Sequence, residues 1–167
     1  MPELEKQTVP TEKKELYRLL ASQLNSLMEG EREPLPNMAN MCALLYGALP
    51  AVNWAGFYLN MGAELMLGPF QGRPACIRIP LGRGVCGTAA ALRNTQLVPD
   101  VHAFPGHIAC DAASRSEIVV PLMLDDRLLG VLDVDSPVEK RFDADDRAGL
   151  EALAGQLVRH CCWPMLG

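Results

Sequence analysis

The stretch EIVVPLMLDDRLLGVLDVD (117–135) decides the fold class. Its two runs, EIVVPLML and LLGVLDVD, are rich in apolar and β-branched residues and only DDR separates them, so they read as an antiparallel hairpin. A connection this short cannot carry a parallel crossover. Placing Leu124 opposite Leu128 pairs Glu117 with Asp135 and Val119 with Asp133. Side chains alternate along a strand, so Glu117, Asp133 and Asp135 then point to one face of the sheet. A slip of one residue would turn Glu117 to the other face, whereas Asp133 and Asp135, two apart, share a face in any register. Three carboxyl groups so close disfavour joint ionisation. One is expected to hold its proton and act as a donor, while the others attract a cationic ligand.

Working outward, VNWAGFYL (52–59), ELML (64–67), ACIRI (75–79) and TQLV (95–98) show strand periodicity between Gly, Pro, Asn and Asp, and VCGTAAAL (85–92) reads as a short helix. Residues 11–28 place Leu16, Leu19, Leu20, Leu24, Leu27 and Met28 on one helical face behind a Thr11 cap. GEREPLPN breaks that helix, and Met38, Met41, Cys42, Leu44 and Leu45 start a second one that ends near Gly47. At the far end Leu150, Leu153, Ala154, Leu157, Val158 and Cys161 repeat the spacing, with Asp143, Asp145 and Asp146 at the helix start where the dipole favours acids. Cys42 and Cys161 are therefore expected in the core and Cys162 outside it. The expected architecture is an α+β domain with a mainly antiparallel sheet flanked by N- and C-terminal helices, spanning residues 11–163, with tails at 1–10 and 164–167.

The chain has 167 residues, enough for one core, and a formal net charge of −5. An acidic chain lacks a field for steering a polyanion, so no nucleic acid is expected as partner. No stretch approaches the roughly 18 consecutive apolar residues of a spanning helix, and the N-terminus lacks the apolar core of a signal peptide. A cytoplasmic protein without a membrane partner is expected.

In a reducing compartment the six cysteines need a reason other than structural disulfides. No C-x-x-C or C-x-x-H pair occurs, so neither a metal nor another cofactor is expected. Gly82, Gly84 and Gly87 spell G-x-G-x-x-G before a helix, with Asp100 at the distance of a ribose-binding acid. The preceding run carries Cys76, Arg78 and Pro80, unlike a buried parallel strand, and no further βαβ unit follows; the glycines are read as a turn presenting Cys86. At that helix start the dipole and Arg83 are expected to lower the Cys86 thiol pKa. Cys110 lies in the loop HAFPGHIACDAASRS (102–116), seven residues before Glu117, and His102 and His107 precede it in the same loop. Trp54 and Tyr58 share a strand face, an aromatic wall suited to an apolar or thioether-like group.

The runs NWAGFYL, GPFQGRPACIRIPLGRGVCGTAA, QLVPDVHAFPGHIACDAASRSEIVVPL and GVLDVDSP closely resemble the free methionine-R-sulfoxide reductase family, whose fold is a GAF domain. The likeness covers Asn53 to Pro137 almost continuously. It implies reduction of free methionine-(R)-sulfoxide with electrons from thioredoxin, in a homodimer. By the same resemblance Cys110 is the attacking cysteine, Cys76 the principal resolving cysteine and Cys86 an additional disulfide partner. Trp54, with Tyr58, is implied at the substrate methyl, and Glu117, Asp133 and Asp135 at its polar atoms. The residue types suit this chemistry: a thiolate attacks sulfur, a carboxylic acid protonates the departing oxygen, and a sulfenic acid condenses with a second thiol. Two other readings compete. One is a GAF module sensing a small ligand, which the fold permits and three acids disfavour for a phosphate. The other is a thiol redox switch without a substrate.

Overall fold

A computed structural model describes residues 12–108 and 112–164. Its elements are α1 (Lys13–Met28), α2 (Pro34–Ala48), β1 (Trp54–Asn60), β2 (Glu64–Gly72), β3 (Arg78–Pro80), α3 (Gly84–Leu92), β4 (Gln96–Val98), a 3-10 turn (Val101–Ala103), β5 (Ser116–Leu124), β6 (Arg127–Ser136) and α4 (Ala144–His160). The strands form one sheet in the order β3-β2-β1-β6-β5-β4, and every neighbouring pair is antiparallel. This is the expected α+β architecture.

The sheet is covered on both faces. On one, Leu20 and Leu24 of α1, Met41 and Leu45 of α2 and Leu150 and Leu157 of α4 pack on Phe57, Ile118, Leu122, Leu132 and Val134. On the other, Val85 and Ala89 of α3 pack against Tyr58, Leu65, Ile79, Val119 and Val131. Double burial explains why IVVPLML (118–124) is apolar throughout instead of alternating. Cys42 and Cys161 lie in the helical layer and Cys162 is exposed, as expected.

The helical layer is pinned where α1 meets α4. The Tyr17 ring lies over Gly149, where a Cβ would come within 2.2 Å of it. The Tyr17 hydroxyl donates to Asp146 Oδ1 at 2.8 Å, and Lys13 Nζ donates to Asp146 Oδ2 at 2.6 Å. Asp143 caps α4 by accepting from the Asp145 and Asp146 amides, and the Asp146 carboxylate accepts from the Asp143 amide. This reciprocal box satisfies donors that the first helical turn leaves open, worth about 1 kcal/mol.

Several boundaries differ from the sequence reading. The β5–β6 turn has two residues, Asp125 and Asp126, because Leu124 pairs with Arg127, and not the three-residue DDR loop. A bulge follows: Leu122 pairs with Gly130 and Met123 with Leu128, leaving Leu129 as the extra residue. The two differences offset one another, so Glu117 faces Asp135 and Val119 faces Asp133 as expected. Helix α2 begins at Pro34 rather than Met38, since proline is tolerated where the first helical amides have no partner anyway. β2 runs on through Gly68 and Pro69, which sit in a bulge between the pairs Gly56–Phe70 and Tyr58–Leu67. β3 is only three residues long, so Cys76 precedes it instead of lying on it. The expected Thr11 cap lies outside the described residues, and α1 starts behind Glu12 without a side-chain cap.

Candidate active site

The face of the sheet under α3 carries two transverse rows of residues. In the first, Gly72, Trp54, Asp135, Glu117 and Val98 are successive neighbours across β2, β1, β6, β5 and β4. In the second, two residues along, Phe70, Gly56, Asp133, Val119 and Gln96 follow one another. Antiparallel register thus sets the three acids beside Trp54, and α3, His107, Ile108 and Ser114 border the same cavity. A cavity opens there, lined by Trp54, Tyr58, Arg83, Cys86, His107, Ile108, Ser114, Glu117, Asp133 and Asp135, with Pro74, Ala75, Ile79 and Val85.

Glycines shape the aromatic wall. A Cβ at Gly56 would lie 2.6 Å from the Trp54 ring, and one at Gly72 would again lie 2.6 Å from it. The indole therefore occupies space that two side chains would otherwise fill. It stacks on Phe70 with centroids 5.3 Å apart and on Tyr58 at 5.9 Å, and its Nε1 donates to the Arg73 carbonyl at 3.1 Å. The Tyr58 hydroxyl donates to the Cys76 carbonyl at 2.9 Å, which ties the wall to the segment bearing that cysteine.

Glu117 and Asp133 are both more than nine-tenths buried. Burial raises the Glu117 pKa, although hydrogen bonds with Asp133 and Cys86 pull it down. Burial also holds Asp133 well above the ordinary carboxylate range, and the charges of Asp135 and Glu117 push it further up. Both shifts run upward, the direction expected of carboxyl groups set this close together. Asp133 Oδ1 is buried without a hydrogen-bond partner.

Cys86 departs from expectation. It lies in the first turn of α3 but is buried, and its Sγ faces Glu117 Oε1 at 3.8 Å. Burial first, and then the charges of Asp133, Glu117 and Asp135, raise its pKa well above that of a free thiol. Desolvation and three acids outweigh one short helix's dipole and the Arg83 charge, so this thiol is a proton donor and not an activated nucleophile.

Cys76 is disulfide-bonded, while Cys42, Cys86, Cys161 and Cys162 are free. Cys110 lies outside the described residues; His107, Ile108 and Ser114 on either side of it line the cavity. His102 and His107 meet edge to face at 6.4 Å, and burial followed by the His102 charge lowers the His107 pKa. Of the two, His107 alone borders the cavity among the described residues.

The sequence reading did not single out Ser114 or Phe70. Ser114 Oγ accepts from Asn53 Nδ2 at 3.4 Å, a contact between residues 61 apart in sequence that no local pattern announces. Phe70 lies beyond Gly68-Pro69, which look in sequence like the end of the ELML strand. Parity along an extended β2 would have found it.

Residues 15–160 match the GAF domain. The chain is 55% identical over 147 residues to the free methionine-R-sulfoxide reductase of Escherichia coli, covering 88% of this chain and 89% of that protein. It also resembles the free methionine-R-sulfoxide reductase of Neisseria meningitidis, solved with its substrate, with a TM-score of 0.88, 46% identity and coverage of 92% and 93%. The fRMsr of Staphylococcus aureus, also solved with substrate, superposes with a TM-score of 0.84 and 50% identity over 93% of this chain and all of that one. With a matching domain, a matching fold and identity of this extent along nearly the whole length, the chain belongs to the free methionine-R-sulfoxide reductase family of GAF-domain proteins.

Proposed function

We propose that this protein reduces free L-methionine-(R)-S-oxide to L-methionine. The observation that carries this reading is the buried pair Glu117 and Asp133, both with raised pKa, on the two strands that follow the Trp54-bearing strand across the sheet. The substrate has an apolar methyl group, a sulfoxide oxygen that must be protonated, and an α-ammonium. The wall suits the first, a neutral carboxyl the second and an ionised carboxylate the third. A peptide-bound residue has no free ammonium, so an acid there favours the free amino acid.

In the reaction, the Cys110 thiolate attacks the sulfoxide sulfur and a carboxyl of the Glu117–Asp133 pair protonates the oxygen. The S–O bond of the substrate breaks, methionine leaves, and the oxygen remains on Cys110 as a sulfenic acid. The Cys76 thiol then displaces that oxygen as water, forming a disulfide. A dithiol of the thioredoxin class reduces the disulfide by exchange and is itself oxidised. The disulfide-bonded state of Cys76 supports its role as the resolving residue. Cys86, buried and protonated, serves the acid cluster as a hydrogen-bond donor and is a reserve thiol for exchange. Residues 11–163 are the catalytic unit, and the reading extends to a cytoplasmic homodimer.

The test is oxidation of reduced thioredoxin in the presence of each epimer of free methionine sulfoxide. Turnover of the R epimer by the wild type, lost in Cys110→Ser, is expected. Peroxide-driven disulfide formation without any turnover would instead establish a redox switch.

A further inference from the structure

We infer that Cys86, Glu117 and Asp133 form a binding site for one borderline divalent cation of the zinc class at the floor of this cavity. The three residues come from α3, β5 and β6, so no local spacing in the sequence announces them. One ligand atom from each lies within 4.8 Å of the other two, and all three side chains are buried. A tetrahedral zinc bound to a thiolate and a carboxylate oxygen holds those two atoms about 3.6 Å apart. Cys86 Sγ and Glu117 Oε1 stand 3.8 Å apart, close to that spacing.

An independent feature points the same way. Asp133 Oδ1 is buried without a hydrogen-bond partner, in a residue only 5% exposed that borders the cavity. A buried carboxyl oxygen lacking a partner costs free energy, and a cation that displaces the carboxyl proton supplies what is missing. One sulfur and two oxygens suit zinc or cadmium; magnesium and calcium take oxygen shells. Three protein ligands leave a fourth position toward the cavity for water, the arrangement of an open zinc site. The binding inference stands on this geometry alone. Its consequence, inhibition through occupation of the proton donor and the ammonium-binding acids, rests on the reductase reading.

The experiment uses the full chain carrying Cys162→Ser, which removes the exposed competing thiol, with Cys76 kept in its disulfide. Cobalt(II) is titrated as a spectroscopic probe and then displaced with zinc, in the absence of substrate. One equivalent should bind with a thiolate-to-cobalt charge-transfer band. Cys86→Ser should abolish the band and weaken zinc binding about tenfold or more, as loss of the softest ligand requires. Asp133→Asn should weaken zinc binding comparably while the band persists, and it decides the matter if the Cys86 variant does not fold. No saturable binding, a band that survives in Cys86→Ser, or unchanged zinc affinity in Asp133→Asn overturns the inference. Because binding is read without turnover, its failure leaves the reductase reading intact, and failure of that reading leaves this result intact.

Discussion

The Cys86 thiol faces the Glu117 carboxyl at 3.8 Å, both of them buried under α3. This contact makes the helix-borne cysteine part of the acid cluster and slows its reaction relative to an exposed thiol. With burial and three neighbouring acids holding its pKa high, Cys86 should resist alkylation. Cys42, pushed up to about 12 by burial, should resist as well, whereas exposed Cys162 should react first. Timed iodoacetamide labelling of native protein at pH 8, read by peptide mass, checks the order. Labelling of Cys86 before Cys162 would contradict it.

The buried acids should make both rate and stability fall as pH rises. A carboxyl whose folded pKa is raised binds its proton more tightly in the folded than in the unfolded chain, so stability declines above the unfolded pKa of about 4 until the folded pKa is passed. Asp133→Asn keeps the shape and removes that cost. The variant should gain on the order of 1 kcal/mol of stability at neutral pH, with the gain vanishing near pH 4. It should also lose most of the turnover. Denaturant titrations at pH 4 and pH 8, beside a rate profile, give both answers.

Gly56 should tolerate no side chain. A Cβ there meets the Trp54 ring at 2.6 Å and Phe70 Cβ at 2.4 Å, so Gly56→Ala must move the aromatic wall. A loss of about 1–3 kcal/mol from overpacking is expected, together with a raised KM for the sulfoxide. An unchanged KM would show that Trp54 does not contact the substrate.

Asp146 is buried at 1% exposure and accepts from Tyr17, Lys13, Arg141 and the Asp143 amide. Asp146→Ala strands these donors between α1 and α4 and should cost about 3–5 kcal/mol, without lowering the turnover of the molecules that remain folded. Chemical denaturation alongside the rate per folded molecule separates the two effects.

The hairpin shows how the sequence can disclose a site without disclosing its details. Parity and strand pairing place Glu117, Asp133 and Asp135 together, because a two-residue period leaves few registers that keep a face buried. The same reasoning misplaces the turn, since a bulge at Leu129 is a one-residue irregularity with no periodic signal. It cancels the error only by coincidence of direction. In sequence Pro34 and Pro69 look like breaks, but proline is decisive only in mid-element. At a first helical turn or in a bulge, the missing amide has nothing to lose. The chemistry of Cys86 was illegible for another reason. Its position in the helix is local, but its environment is supplied by β5 and β6, more than thirty residues away.

The central claim, that Cys110 attacks free methionine-(R)-sulfoxide over the buried acids and passes its oxidation to Cys76, is tested most directly by single-turnover reaction of fully reduced protein. One equivalent of the R epimer, followed by mass mapping of a non-reduced digest, should yield methionine and a Cys110–Cys76 disulfide, with neither product in Cys110→Ser. Methionine formed at an equal rate by Cys110→Ser, or none formed by the wild type, would contradict the account.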